Sequence, residues 1–480
     1  MLAGKGFVYN EGEKVEGTTN FLWVLFLGAF SLLSGLDIET SALVLAFLLS
    51  SITVLISYYV SCQIFERVFP ERANSNFKYF AAFFAIIILF GNANFLILSL
   101  SGLEVPLIHF FLALFLFLSI KNEKLFSRLV LFLLSLTRPE FVALLALNEI
   151  IEKDYTVRIR GLIFCTFAFF LIFGGRLLYF GDFFPNTFYA KTNAETSFSL
   201  GLREFLAFLK SGGWLCVFIL IALLFQKEQL ERKIFVFSLF YFLYIIILGR
   251  NSLGYFRFYI HLLPLISPFL ILLFKFFYKF IPISLMIFIF LLSPISFHFF
   301  TDLGNPRESV NFMNFCWKKI GTWLNENTKK ETTIALNPIG QIGFFSKRPI
   351  LDMLGLIDRT IAKSPRTQSK TRIIGHEKSN SEYVLGRKPD IIILRGALFY
   401  PKPLTIKEMA GSDSPFRGDN ELFRHPIFQK EYQLINIKME NLFFPFFLRK
   451  NSRDLVQLSN SETPIFESFT ENSTNSQLLR

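Results

Sequence analysis

Four polar clusters interrupt otherwise apolar sequence. They are Ser101-Gly102-Leu103-Glu104, Thr137-Arg138-Pro139-Glu140, a run from Tyr179 to Lys191 that contains Asp182 and Asn186, and Arg257-Phe258 ahead of Pro264. An ionisable group at membrane depth costs roughly 2.5–3.5 kcal/mol on insertion scales, so such groups normally face a water-filled cavity or a partner. Carboxylates and cations meeting in a cavity could exchange a proton and hold an anion. Each cluster also has a plainer explanation. Arg138 and Glu140 are spaced to pair with one another or to cap short helices. Glu104 is placed to cap the helix that follows it. Lys191 and Arg257 suit residues that reach headgroup level on apolar stems. Taken singly, none of the four is specific.

Other candidates are thinner. The opening stretch, residues 4–23, is polar and glycine-punctuated and carries Glu11, Glu13 and Glu16. It lacks a basic segment followed by an apolar core, so no signal peptide is expected. Cys62, Cys165 and Cys216 lie within apolar runs and Cys316 stands alone, which gives neither a pairing framework nor a metal spacing. His376 could serve acid–base chemistry, but a solvated loop histidine is the stronger reading.

The elements that must position these groups are membrane helices. The 480 residues are 52% hydrophobic and 18% charged, with a mean hydropathy of +0.46, more apolar than a soluble chain of this length. The net charge of +12 reads as lysine and arginine kept in cytoplasmic loops, not as nucleic-acid binding. A crossing helix needs about 20 apolar residues. Residues 21–36 fall short of that before Asp37 and Glu39, which predicts a re-entrant or surface-lying helix. Apolar runs at 42–65, 79–100, 105–120, 125–136, 141–151, 162–180, 214–225, 234–248, 258–277 and 281–300 then predict about ten crossings.

Loop charges orient them. Loops 66–78, 121–128, 152–160, 226–233 and 275–279 are rich in lysine and arginine, whereas the short loops near Asp37, Glu104 and Arg138 are nearly free of lysine. Basic loops mark the cytoplasmic side. The alternation is consistent only if 21–36 does not cross. The start, the 181–213 insert and everything after residue 300 are then expected outside. From residue 301 the composition turns soluble. Residues 308–327 place Phe312, Phe315, Cys316, Ile320, Trp323 and Leu324 on one helical face. Residues 332–336, 350–354 and 390–394 read as short buried strands. The last thirty residues, rich in Ser, Asn, Thr and Glu, read as disordered. The expected organisation is an outer loop with its short helix (1–41), a helical membrane domain (42–300), an α/β domain (301–450) and a tail (451–480).

In order along the chain, these residues resemble a bacterial family. The stretch GKGFVYNEGEKVEGTTNFLW (4–23), Ser101 to Glu104, Thr137-Arg138-Pro139-Glu140, YFGDFFPNTFYAK (179–191), Arg257-Phe258, GQIGFFSKRPILDMLGLID (340–358) and GHEK (375–378) follow its motifs. The family is that of GT-C-fold polyprenyl-phosphate-dependent glycosyltransferases, in the arabinofuranosyltransferase-B-like group. Val105 stands where the family has threonine.

The resemblance implies a polytopic α-helical membrane protein with a GT-C-like fold and a C-terminal soluble α/β domain. It would sit in the bacterial inner membrane with that domain in the periplasm. It further implies a sugar moved from a polyprenyl-phosphate donor among the membrane lipids to an envelope glycan acceptor, through an oxocarbenium-like state. Arg138, Lys191 and Arg257 are the implied cations for the leaving phosphate. Glu104 is the implied second acid, orienting the acceptor or a divalent cation, and Glu16 supports the outer loop. Glu140, Asp182, Asn186 and Asp352 are the implied acceptor-side and loop positions.

The family's acidic pair, expected just before Gly4 as general base, is not in this chain. The expectations are a start codon placed too far downstream or a degraded, non-catalytic relative. A glycan-lipid transporter and an O-antigen ligase are the alternatives. The first is disfavoured by the absence of an internal repeat, the second by cations spread over several loops.

Overall fold

The computed structural model describes residues 4, 6–91, 93–191, 198–249, 256–277, 306–365, 378–411, 414, 416–452 and 465–469. The described residues are 67% helical. Among the described residues four helices are long and apolar enough to cross a membrane: Ile38–Val68, Tyr155–Phe180, Phe198–Leu224 and Arg257–Lys275. The predicted runs at 79–100, 105–120, 125–136 and 141–151 form shorter helices. The run at 281–300 and His376 lie outside the described residues.

Helix α1 (Phe21–Ser34) stops at Gly35, whose left-handed φ of 71° turns the chain, and Asp37 caps α2 (Ile38–Val68) by accepting from the Thr40 amide. At 1.5 Å per residue α1 spans only about 21 Å. Its start and the start of α2 both meet Gly102: the Trp23 indole donates to the Gly102 carbonyl at 3.1 Å, and Gly102 packs against Ala42. Both ends of α1 therefore sit at one end of the bundle, as its short length predicts. Next come α3 (Phe77–Phe90), α4 (Ala93–Ser99), α5 (Val105–Ile120), α6 (Lys124–Thr137) and α7 (Val142–Ile150).

Four of the five loops expected to share a side do gather. Arg67 donates to the Ile120 carbonyl at 3.3 Å, and Lys124 and Lys233 both reach Glu152, at 3.6 and 3.3 Å. Arg128 grips Glu149 with two bonds of 2.9 and 2.7 Å. Helix Tyr155–Phe180 passes so close to this pair that a Cβ on Gly161 would overlap the Glu149 carboxylate. At the other end lie Glu104, Arg138 and the C-terminal domain, which Lys318 ties to Glu39 at 3.0 Å.

The C-terminal domain is a six-stranded sheet in the order β2-β1-β3-β5-β4-β6. Strands β1 (Ile334–Leu336), β2 (Ile350–Asp352) and β3 (Ile391–Ile393) are parallel and fully buried, at the three places the sequence predicts. Strands β4 (Tyr432–Met439) and β5 (Leu442–Arg449) form an antiparallel hairpin turned by Glu440 and Asn441 alone. Pro445 in β5 is tolerated because the N–H groups on its side face β3 only at one end; the Phe443 amide already bonds Tyr400 instead.

Two expectations fail here. The tail is not disordered throughout, because β6 (Ile465–Ser468) adds to the β4 edge. On helix Pro306–Asn327, Cys316, Ile320 and Leu324 are buried against the sheet, but Phe312 and Phe315 are exposed. The buried stripe is narrower than the apolar one.

Candidate functional site

Glu104 sits at the N-cap position of α5, but its side chain turns away from the helix amides to the arginines and is 1% exposed. One of its oxygens takes Arg138 at 3.1 Å and also Arg257, and the other accepts from the Asn20 amide at 3.0 Å. Arg138 pairs in addition with Glu140, and its guanidinium lies 4.8 Å from the Phe258 ring centre. Three of the four sequence clusters, 153 residues apart at the extreme, therefore converge on one carboxylate. Two arginines face two glutamates, so the group is charge-balanced. It joins the first segment, the turn before α5, the end of α6 and the start of helix Arg257–Lys275. Oε1 is shared by two guanidiniums and Oε2 accepts from Asn20, so the carboxylate is held in place by three donors.

Glu16 belongs to a second cluster. Arg176 donates to both its oxygens, at 3.2 and 3.0 Å, and both side chains are buried. Burial pushes the Glu16 carboxyl up, while Arg176 opposes that shift by charge and hydrogen bonding. Among the described residues the Nη1 atom of Arg176 has no hydrogen-bond partner, although it is buried. Arg176 was not singled out from the sequence, although a lone arginine inside an apolar run was the available signal. The Asn186 amide bonds the Glu16 carbonyl at 3.0 Å. Its side chain donates to the carbonyls of Gly355 and Leu356 at 2.8 and 3.1 Å. Asn186 thus couples the first segment to the C-terminal domain.

The remaining candidates sit along that same seam. Asp182 holds Arg359 at 2.7 Å and Lys363 at 2.6 Å. Lys191 ends the short helix Asn186–Lys191, half-buried, and this helix packs on helix Arg359–Lys363. Asp352 is fully buried at the end of β2 and accepts from the amides of Leu354 and Ile357 at 2.9 and 2.8 Å, closing the turn after the strand. Burial raises its carboxyl to about 7. Among the described residues no group of three or more His, Cys, Asp or Glu is arranged to hold a metal.

The first segment lies between helices and sheet. Its Asn10 side chain bonds Ile350, and the Tyr9 hydroxyl donates to the Ile339 carbonyl. Between the segment and the domain is a mainly apolar cleft of about 770 Å³ walled by Phe7, Val15, Glu16, Phe21, Ile339 and Leu356. A second, polar recess of about 550 Å³ shares Val15, Phe180 and Ile357 with it.

A family model described as a domain of unknown function, DUF8728, matches residues 307–458, which is the sheet domain together with the helix that covers it. No curated protein matches the chain.

Proposed function

We propose that the chain is a membrane glycosyltransferase that moves a sugar from a polyprenyl-phosphate donor to an envelope glycan or lipid acceptor. The observation that carries this reading is the 770 Å³ apolar cleft at the Glu104 end of the helices, with the buried Glu16 in its wall. A slot of that size and lining suits an apolar chain delivered from the bilayer, and the polar recess beside it suits a ligand arriving from water. The basic loops at the opposite end are the cytoplasmic ones in this reading, which puts the cleft and the sheet domain outside.

The roles change in one respect. Glu104 acts as a positioning residue that holds Asn20, Arg138 and Arg257 together, since both its oxygens are occupied. Lys191 is the cation assigned to the leaving phosphate. The test is the full chain in detergent with polyprenyl-phosphate sugars, reading release of the lipid phosphate. Turnover that falls in Lys191→Ala at unchanged thermal stability fits the proposal. A protein that consumes no donor from a panel of pentosyl and hexosyl lipids overturns it.

One observation favours a second reading, that of a non-catalytic glycan-lipid binding protein. Glu104, Glu16 and Asp352 are each committed to guanidinium or backbone donors. That reading expects the lipid to bind without being consumed.

A further inference from the structure

The polar recess has a composition of its own. Around it stand Glu13, Lys14, Tyr179, Asp358, Arg359 and Tyr383. Its wall sets Glu13 and Asp358 against Lys14 and Arg359, so its formal charges sum to zero. Arg387 reaches Glu13 at 3.5 Å, Asp182 holds Arg359 at 2.7 Å, and Asp358 accepts from the Tyr383 hydroxyl at 3.0 Å and from the Ile361 amide at 2.9 Å. The Lys14 ammonium lies 5.3 Å from the centre of the Tyr179 ring.

What such a surface does offer is a dense set of donors and acceptors beside tyrosine rings, with no net charge. That is the complement of a ligand carrying many hydroxyls on rings with C–H faces. The volume is within the range of ligand pockets and large enough for a short oligosaccharide. The recess also meets the apolar cleft along Val15, Phe180 and Ile357, so an occupant would lie next to whatever fills the cleft.

We propose that this recess binds a neutral saccharide, which on the transferase reading is the acceptor. Only the word acceptor rests on that reading; the binding itself does not. The test is calorimetric titration of the full chain, in detergent and without lipid donor. The probes are a panel of neutral tetrasaccharides (a glucan, a mannan, a galactan and an arabinan) and one sulfated tetrasaccharide. Saturable binding of a neutral probe is expected, weakened about tenfold by Lys14→Ala and by Tyr383→Ala and unchanged by the remote Lys402→Ala. Lys14 is exposed and joins no core, so its variant reports on the recess even where Tyr383→Ala unfolds the domain. The proposal is overturned if no neutral probe saturates in the millimolar range, if both variants bind as the parent does, or if the sulfated probe binds tighter than every neutral one. Binding without donor consumption would keep the recess and remove the transferase. Donor consumption without binding would do the reverse.

Discussion

Asn10 pairs with Ile350 as a neighbouring strand would: its side-chain amide donates to the Ile350 carbonyl at 2.7 Å, and its side-chain oxygen accepts from the Ile350 amide at 3.0 Å. One residue of the first segment thereby satisfies both backbone groups of Ile350 on the open edge of β2, the outermost strand on that side of the sheet. Asn10→Ala should leave that edge unpaired, at a cost of about 1–3 kcal/mol. Limited proteolysis should then cut within residues 10–17 faster than in the parent. Equal cutting rates would mean the segment is held by other contacts.

Glu104→Gln should destabilise strongly, because Arg257 would be left buried without a counter-charge while Arg138 keeps only Glu140. Breaking a buried pair in this way costs about 3–5 kcal/mol. Thermal unfolding in detergent reads the loss. The double variant Glu104→Gln, Arg257→Met should recover part of it, since only Arg138 then remains and Glu140 still pairs with it. A single variant as stable as the parent would refute the positioning role.

The C-terminal domain should lose stability as pH rises from about 4 to about 7. Burial lifts Asp352 to about 7 and Asp419 to about 6. Both lie above the ordinary carboxylate value near 4. The folded domain therefore binds more protons than the unfolded chain across that window, and the slope is negative. Each group contributes at most about 1.4 kcal/mol per pH unit. Urea titrations followed by tryptophan emission (Trp317 and Trp323 pack on the sheet) should show the midpoint falling with pH and then levelling. A midpoint that rises across the window would contradict the assignment.

Asp182→Asn should loosen the 181–191 insert from helix Arg359–Lys363. Its two cationic partners are 41% and 45% exposed, so solvent screens the pairs and the loss should be about 0.5–1 kcal/mol. The difference from the parent should shrink in 1 M salt, where the Debye length is about 3 Å. A salt-independent difference would point to packing instead.

Single cysteines at Lys227 and at Lys402 should label from opposite sides of the membrane with an impermeant maleimide, in a background freed of the native thiols. Lys227 belongs to the basic end and Lys402 to the sheet domain at the other. Labelling of both from one side would break the proposed orientation.

Parts of this architecture were readable in advance for clear physical reasons. Strands β1, β2 and β3 are short apolar runs bounded by polar residues, because parallel strands are buried on both faces. The two ends of the helical bundle followed from loop lysines and arginines, and Arg67, Lys124 and Lys233 do cluster. The β4–β5 hairpin was not readable. Residues 442–449 (LFFPFFLR) have no period-2 alternation, since Phe444 and Phe446 fill one core and Phe447 the other, and Pro445 argues against a strand.

Composition and local pattern settled which segments are apolar, which loops carry charge and where the sheet domain begins, because those properties depend on neighbours within a few residues. The fold alone settled the partners of the charges. Glu104 meets Arg257 and Glu16 meets Arg176 across 153 and 160 residues. A buried ion is satisfied by whatever the packing of distant helices brings within 3 Å of it, and no spacing along the chain encodes that distance.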